Sequence, residues 1–241
     1  MNNKTKVAIV TGGSKGYGYG IASELKKSGA EVWITGRDTA FLENAAKEIN
    51  CRCFKADVTS AADWDKLLKT VMKENGRLDI LVNNAGSGGQ IAPCDEQTEK
   101  NIKSTIAVNL TGSILGCSRA AGIMKKQKNG IIINISSICA RQAWPGWGIY
   151  SAAKAGLVQF SKSLYLELRP YGIRVTSVIP SWGATNFNAN ANLPEFDGTT
   201  AEKCISPEEM GKQIVSICEL PPHLCIQDIT ILPLIQEINP L

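Results

Sequence analysis

The chain has 241 residues, 44% of them hydrophobic, with 26 Lys and Arg against 22 Asp and Glu. This is enough apolar content for a substantial core, and the small basic excess is scattered, without the Lys/Arg stripe of a nucleic-acid-binding surface. No Pro/Gly/Ser-rich linker, charge block or repeat divides residues 1–241, so one domain is favoured; no signal-like leader is visible and no apolar run approaches the ~20 residues of a bilayer span, which points to a cytoplasmic protein without a membrane partner.

Strand-like and helix-like segments alternate. Strands are predicted at 6–11, 31–35, 51–54, 78–82, 130–135, 174–179 and 226–232, and helices at 19–28, 39–49, 61–74, 96–126, 149–169 and 207–220. The strand Ile131 to Ile135 is apolar almost throughout, which suits a parallel sheet covered on both faces and joined by right-handed crossovers. The expected fold is α/β: a single-domain, doubly wound Rossmann fold, with a seven-stranded parallel sheet, helices on both faces, and the site at the carboxyl ends of the strands.

The first of those ends is Thr11-Gly12-Gly13-Ser14-Lys15-Gly16-Tyr17-Gly18. Glycines allow a tight turn there, and the following helix N-terminus offers N–H groups to a pyrophosphate; a plain strand-to-helix connector is the other reading. The spacing Gly12-x-x-x-Gly16-x-Gly18 differs from the G-x-G-x-x-G fingerprint. The second strand ends in Gly36-Arg37-Asp38, with no carboxylate at the position of Gly36 to repel a 2′-phosphate. Arg37 is suited to fork onto that phosphate, with Lys15 reaching it from the other side. Asp38 is open to two readings, a cap for the helix starting near Thr39 or a ribose-binding acid displaced by one position.

Ser137 closes an apolar strand, thirteen residues before Tyr150, and Lys154 follows four residues later. On a helix, residues four apart share a face, so the lysine cation should stand beside the phenol and draw it from a pKa of about 10 toward neutrality. Ser136 leaves an ambiguity of one residue, and the spacing to Tyr150 favours Ser137. Asn109, inside a long apolar stretch, must find partners for its amide.

Taken in order with Asn83-Asn84-Ala85-Gly86, these motifs make the chain resemble the short-chain dehydrogenase/reductase family, in its NADP-preferring carbonyl reductase and 3-oxoacyl reductase-like branch, from Lys6 to about Thr185. The resemblance implies a catalytic set of Asn109, Ser137, Tyr150 and Lys154, with Tyr150 as general acid or base in hydride transfer between nicotinamide C4 and a ketone or secondary alcohol. It implies NADP(H) contacts from Gly12, Ser14, Lys15, Gly16, Tyr17, Gly18, Arg37, Asp57, Val58, Asn83, Ala85, Gly86, Tyr150, Lys154, Pro180 and Thr185. Asp57 would meet the adenine amino group, unless it caps a helix; Lys154 would hold the nicotinamide ribose, Asn109 a water linked to that lysine, and Thr185 the carboxamide. Ser181 stands where the family usually has a glycine after Pro180. A homodimer or homotetramer is implied, packed through 96–126 and 149–169, whose apolar residues include Ile114, Leu115, Leu157, Phe160 and Leu164.

The substrate walls are expected from 87–93, 141–148 and a mobile flap over about 182–205. Trp144, Trp147 and Trp182 make them aromatic, which favours a bulky apolar ketone if the rings face the pocket. The ending Pro233 to Ile238 lacks the Asp-Gly-Gly frequent in acyl-carrier-protein reductases. Two alternatives stay open: an NAD-linked dehydrogenase of a sterol-like or polyol alcohol, and a dinucleotide-sensing protein without turnover. The eight cysteines read as buried reduced thiols, and with His223 as the only histidine no metal is expected.

Overall fold

A computed structural model describes residues 5–185, 187–191, 193–194 and 196–236. Seven strands form one sheet: β1 Val7–Thr11, β2 Glu31–Gly36, β3 Arg52–Lys55, β4 Ile80–Asn83, β5 Gly130–Ile135, β6 Ile173–Pro180 and β7 Asp228–Ile231. Their spatial order is β3-β2-β1-β4-β5-β6-β7 and every pairing is parallel. The chain starts in the middle of the sheet, winds outward to β3, then crosses back to β4. At that reversal the connections leave β1 and β4 in opposite directions and open a crevice above their carboxyl ends.

Helices α1 Gly16–Lys27, α2 Thr39–Ile49 and α3 Ala61–Asn75 follow the first three strands. Next come α4 Glu99–Ile106 and α5 Gly112–Gln127, then α6 Gly148–Leu168, two short helices α7 Phe187–Asn190 and α8 Gly198–Ala201, and α9 Pro207–Glu219. The two-residue period of the strands divides the core. Ala8 and Val10 face a cluster with α1, α2 and α9, whereas Val7 and Ile9 face one with α3, α5 and α6. Both faces of β1 are therefore dry, which is why its apolar run is unbroken.

Local signals set most helix ends. Asp38, Ser60, Thr98 and Ser206 each accept a hydrogen bond from the first turn of the helix they cap, and Ser206 and Glu209 complete a capping box. The helix expected from residue 19 begins instead at Gly16, so the glycine motif is itself the first turn of α1. Its spacing reflects clearance: a Cβ on Gly18 would lie 2.1 Å from the Gly12 carbonyl oxygen, and one on Gly20 1.9 Å from that of Pro207.

Other expectations need correction. The predicted helix 96–126 is a run from Glu99 to Gln127 broken by a π-helical turn at Ala107–Thr111. The run is apolar, with a mean hydropathy of 1.2 over its most apolar stretch, because it is a core helix: Gly112, Gly116, Cys117, Ala120 and Met124 are buried within the fold. Leu157 and Leu164 are core residues, Leu115 and Phe160 are partly buried against the core, and Ile114 is half-buried. Cys94 is exposed and Cys51, Cys53 and Cys225 half-buried, so not every thiol is in the core; all eight are free. The expected flap carries α7 and α8, and its ends are pinned where Ile205 N–H donates to Trp182 O at 3.0 Å and Ala184 N–H to Ile205 O at 2.9 Å. Residues 186, 192 and 195 of that stretch, and 237–238 of the expected chain ending, lie outside the described residues.

Candidate active site

A cleft of about 540 Å³ opens above the carboxyl ends of β1, β4, β5 and β6. Gly12, Lys15, Gly16 and Tyr17 line one end, Ala85 and Gly86 the floor, and Ser137, Tyr150, Pro180 and Thr185 the far side. Most of the sequence-predicted residues thus converge, although they come from segments up to 173 residues apart (Gly12 to Thr185).

Thr11 holds the floor in place. Its Oγ1 accepts from Asn84 N–H and Ala85 N–H, both at 3.0 Å, while Asn84 Nδ2 donates to Thr11 O at 2.9 Å. Asn84, expected only as part of the Asn83–Gly86 run, also lines the cleft, and the sequence reading gives Thr11 no role of its own; a Thr before the glycines with an Asn in the next loop was the available signal. Asn83 turns the other way, into the sheet, where Nδ2 donates to Asn134 Oδ1 at 2.8 Å, and Asn134 in turn donates to Ser161 Oγ at 2.8 Å.

Both serines line the cleft and differ in their partners. Ser136 Oγ donates to Lys154 O at 3.0 Å, while Ser137 Oγ accepts from Cys139 N–H at 3.2 Å and lies near enough to the Tyr150 phenol to act on its titration. Lys154 lies beneath the Tyr150 ring, with Nζ 5.7 Å from its centroid, and donates to Ile135 O at 2.9 Å. Burial dominates the protonation of both groups. It pushes the Tyr150 phenol above its ordinary value, the Ser137 hydrogen bond offsetting only part of this, and it depresses the Lys154 ammonium to about 8. Burial thus moves the phenol in the direction opposite to the lowering expected from the lysine. Tyr150 keeps its proton at neutral pH.

Asn109 is fully buried in the π turn. Its Nδ2 donates to Ser87 O at 2.8 Å and Thr105 O at 3.0 Å, and its Oδ1 accepts from Ser87 N–H at 3.2 Å. A Cβ on Gly86 would meet both Asn109 Oδ1 at 2.7 Å and Lys154 Nζ at 3.4 Å, so these two side chains share the space under Gly86.

A second polar corner forms at the end of β2. Ser14 Oγ sits 3.7 Å from where a Cβ of Gly36 would be, and Lys15 Nζ lies 3.2 Å from the centroid of the Phe41 ring. Arg37 is exposed beside them. Asp38 Oδ1 accepts from Phe41 N–H at 3.2 Å, so that carboxylate caps α2. Asp57 Oδ1 accepts from Thr59 N–H and Thr59 Oγ1. Burial raises its pKa, but those bonds and nearby Arg37 bring it below the usual carboxylate value. Val58 packs against the start of α5, where a Cβ on Gly112 would meet Val58 O at 3.0 Å. Arg37, Asp57 and Val58 stand outside the walls of the cleft.

A doubly wound parallel sheet with a glycine turn leading into a helix that has no side-chain cap, and a hydroxyl–phenol–ammonium group across the cleft, defines a dinucleotide-binding α/β oxidoreductase. Residues 6–195 match the family model described as short chain dehydrogenase. The chain is 32% identical over 231 residues to an uncharacterised oxidoreductase of Staphylococcus aureus, covering 95% of this chain and 97% of that one. It is 36% identical over 216 residues to a 3-oxoacyl-[acyl-carrier-protein] reductase of Synechocystis, 87% of each chain. The closed form of a serine dehydrogenase complexed with NADP+ superposes with a TM-score of 0.89 at 28% identity, over 98% of both chains. The protein belongs to the short-chain dehydrogenase/reductase family.

Proposed function

We propose that this oxidoreductase is an NADP(H)-dependent reductase of ketones, acting reversibly on secondary alcohols. The observation that carries the reading is Ser137 and Tyr150 on one side of a cleft whose other end is the glycine turn, with Lys154 buried behind the Tyr150 ring. The turn fits a dinucleotide: α1 starts at Gly16, its N-cap Lys15 makes no side-chain cap, so its first N–H groups are free for an incoming pyrophosphate, and glycines clear the space against the Thr11–Ala85 floor. When bound, the nicotinamide supplies or accepts a hydride at C4.

The chain's residues supply the rest. Ser137 hydrogen-bonds the carbonyl oxygen and orients it, and Tyr150, protonated at neutral pH, gives its proton to the same oxygen as negative charge develops. Lys154 holds the ribose and steadies the phenolate that remains, and the Asn109–Ser87 pairing keeps the ground under that lysine rigid. The NADP preference is argued from Ser14 beside Gly36, Lys15 over Phe41, the exposed Arg37 that follows Gly36 in the chain, and Asp38 being engaged as a cap; serine dehydrogenase carries NADP+, while a 3-ketoacyl reductase of similar fold carries NADH. The test is NADPH and NADH oxidation with a panel of ketones, run for the wild type and Tyr150→Phe. Loss of most turnover in the variant with nearly unchanged cofactor affinity is expected; full activity in Tyr150→Phe would remove it as the general acid.

A further inference from the structure

The far half of the cleft is built from rings. Trp147 and Tyr150 meet edge to face with centroids 5.7 Å apart, and Phe187 lies 5.6 Å from Tyr150 and nearly parallel to Trp147, at 12° and 6.3 Å. Trp182 packs on Phe196 at 5.1 Å, and Trp144 and Trp182 remain 37% and 38% exposed although both line the cleft. Large rings left open to solvent in a concave site mark apolar area reserved for a ligand. The charge inventory points the same way. Among the described residues the walls hold no Asp, Glu, Arg or His, and their one cation, Lys15, stands at the glycine turn. Arg141, near the mouth, is already paired with Asp228 at 2.6 Å. The polar groups left at this end are neutral, Asn188 and Gln236, the latter accepting from the Ser181 hydroxyl. A substrate carboxylate or phosphate would meet no cation on the walls at this end, since Lys154 lies behind Tyr150 and donates to Ile135 O.

Resting on the reductase reading above, we propose that the substrate class is an uncharged ketone bearing an aryl group next to the carbonyl, its ring against Trp147 and Phe187 and its oxygen between Ser137 and Tyr150. Hydride from C4 of the reduced nicotinamide adds to the carbonyl carbon, the C=O π bond becomes the bond to the Tyr150 proton, and the products are the neutral aryl alcohol and oxidised cofactor. Offset and edge contacts with the rings favour aryl over alkyl substituents, and the absence of a cation disfavours anions.

Three probes test this with NADPH: ethyl benzoylformate, ethyl pyruvate, which replaces its phenyl by methyl, and benzoylformate, the anion. The expected order is a kcat/KM for ethyl benzoylformate about tenfold or more above each of the others. Phe187→Leu, which keeps apolar volume and removes the ring, should lower that value mainly through KM and shrink the phenyl-to-methyl ratio severalfold. Equal or better turnover of ethyl pyruvate, comparable use of the anion, or an unchanged ratio in Phe187→Leu overturns the substrate class and leaves the reductase reading standing. No turnover of any probe with either cofactor overturns both.

Discussion

Single side chains at the end of β2 decide cofactor choice in this reading. A guanidinium paired with a dianionic phosphate contributes about 1.5–3 kcal/mol, so Arg37→Ala should weaken NADP(H) roughly ten- to a hundredfold and leave NAD(H) nearly unchanged. Asp38→Ala separates its two readings: loss of the Phe41 N–H bond should cost about 1 kcal/mol of stability in urea, with the cofactor ratio retained. A ratio that shifts on Asp38→Ala, or equal weakening of both cofactors by Arg37→Ala, reverses the assignment. Lys154 gives a prediction in pH. Its folded value is depressed to about 8 from 10.5, so between these values the unfolded chain binds the extra proton and stability rises with pH; below about 8 the cost of burying the cation is fully present. Denaturant titrations of wild type and Lys154→Met should therefore show the wild type gaining relative to the variant from about pH 8 to about pH 10. A constant difference would mean that the ammonium is not desolvated in the native state.

At the scale of elements, the crossing of α1 over α9 is set by glycines. Gly20 lies against Pro207 O, and a Cβ on Gly211 would lie 2.5 Å from Gly20 O. Backbone on both sides leaves no flexible group to yield, so Gly20→Ala should destabilise by about 2–3 kcal/mol and tilt the glycine turn that α1 begins. Gly122, on α5, has nothing within 4 Å of where a methyl group would stand. The same substitution there should stabilise by up to about 1 kcal/mol, because alanine is the better helix former. Urea midpoints of the two variants test the contrast in sign; equal effects would mean that α1 and α9 can separate without cost. The π turn at Ala107–Thr111 belongs to this scale too. Asn109 at its centre takes the Thr105 carbonyl, and the extra residue per turn lets it also reach Ser87 on the loop after β4.

For the whole molecule, α5 and α6 keep some apolar surface, with Ile114 half-buried and Leu166 59% exposed. We expect these faces to be covered by copies of the same chain, and sedimentation at micromolar concentration should give a dimer or tetramer; a monomer would show that the surface stays wet. The sequence by itself determined the seven strands and six long helices nearly to their ends, and the order of the site motifs, because two-residue and 3.6-residue periods, caps and glycines act over a few neighbours. It also singled out Tyr150 as a candidate, and the structure puts that ring in the cleft with Lys154 behind it, while Arg37 stands outside the cleft walls. Tertiary structure decided what depends on distance through space. It tied the Ser136 hydroxyl to the Lys154 carbonyl, sent Leu157 and Leu164 to the core, turned Asn83 into the sheet and Asn84 to the cleft, and buried the Tyr150 phenol so that its pKa is pushed up. Solvent exclusion is a property of the assembled packing, and no local pattern along the chain encodes it.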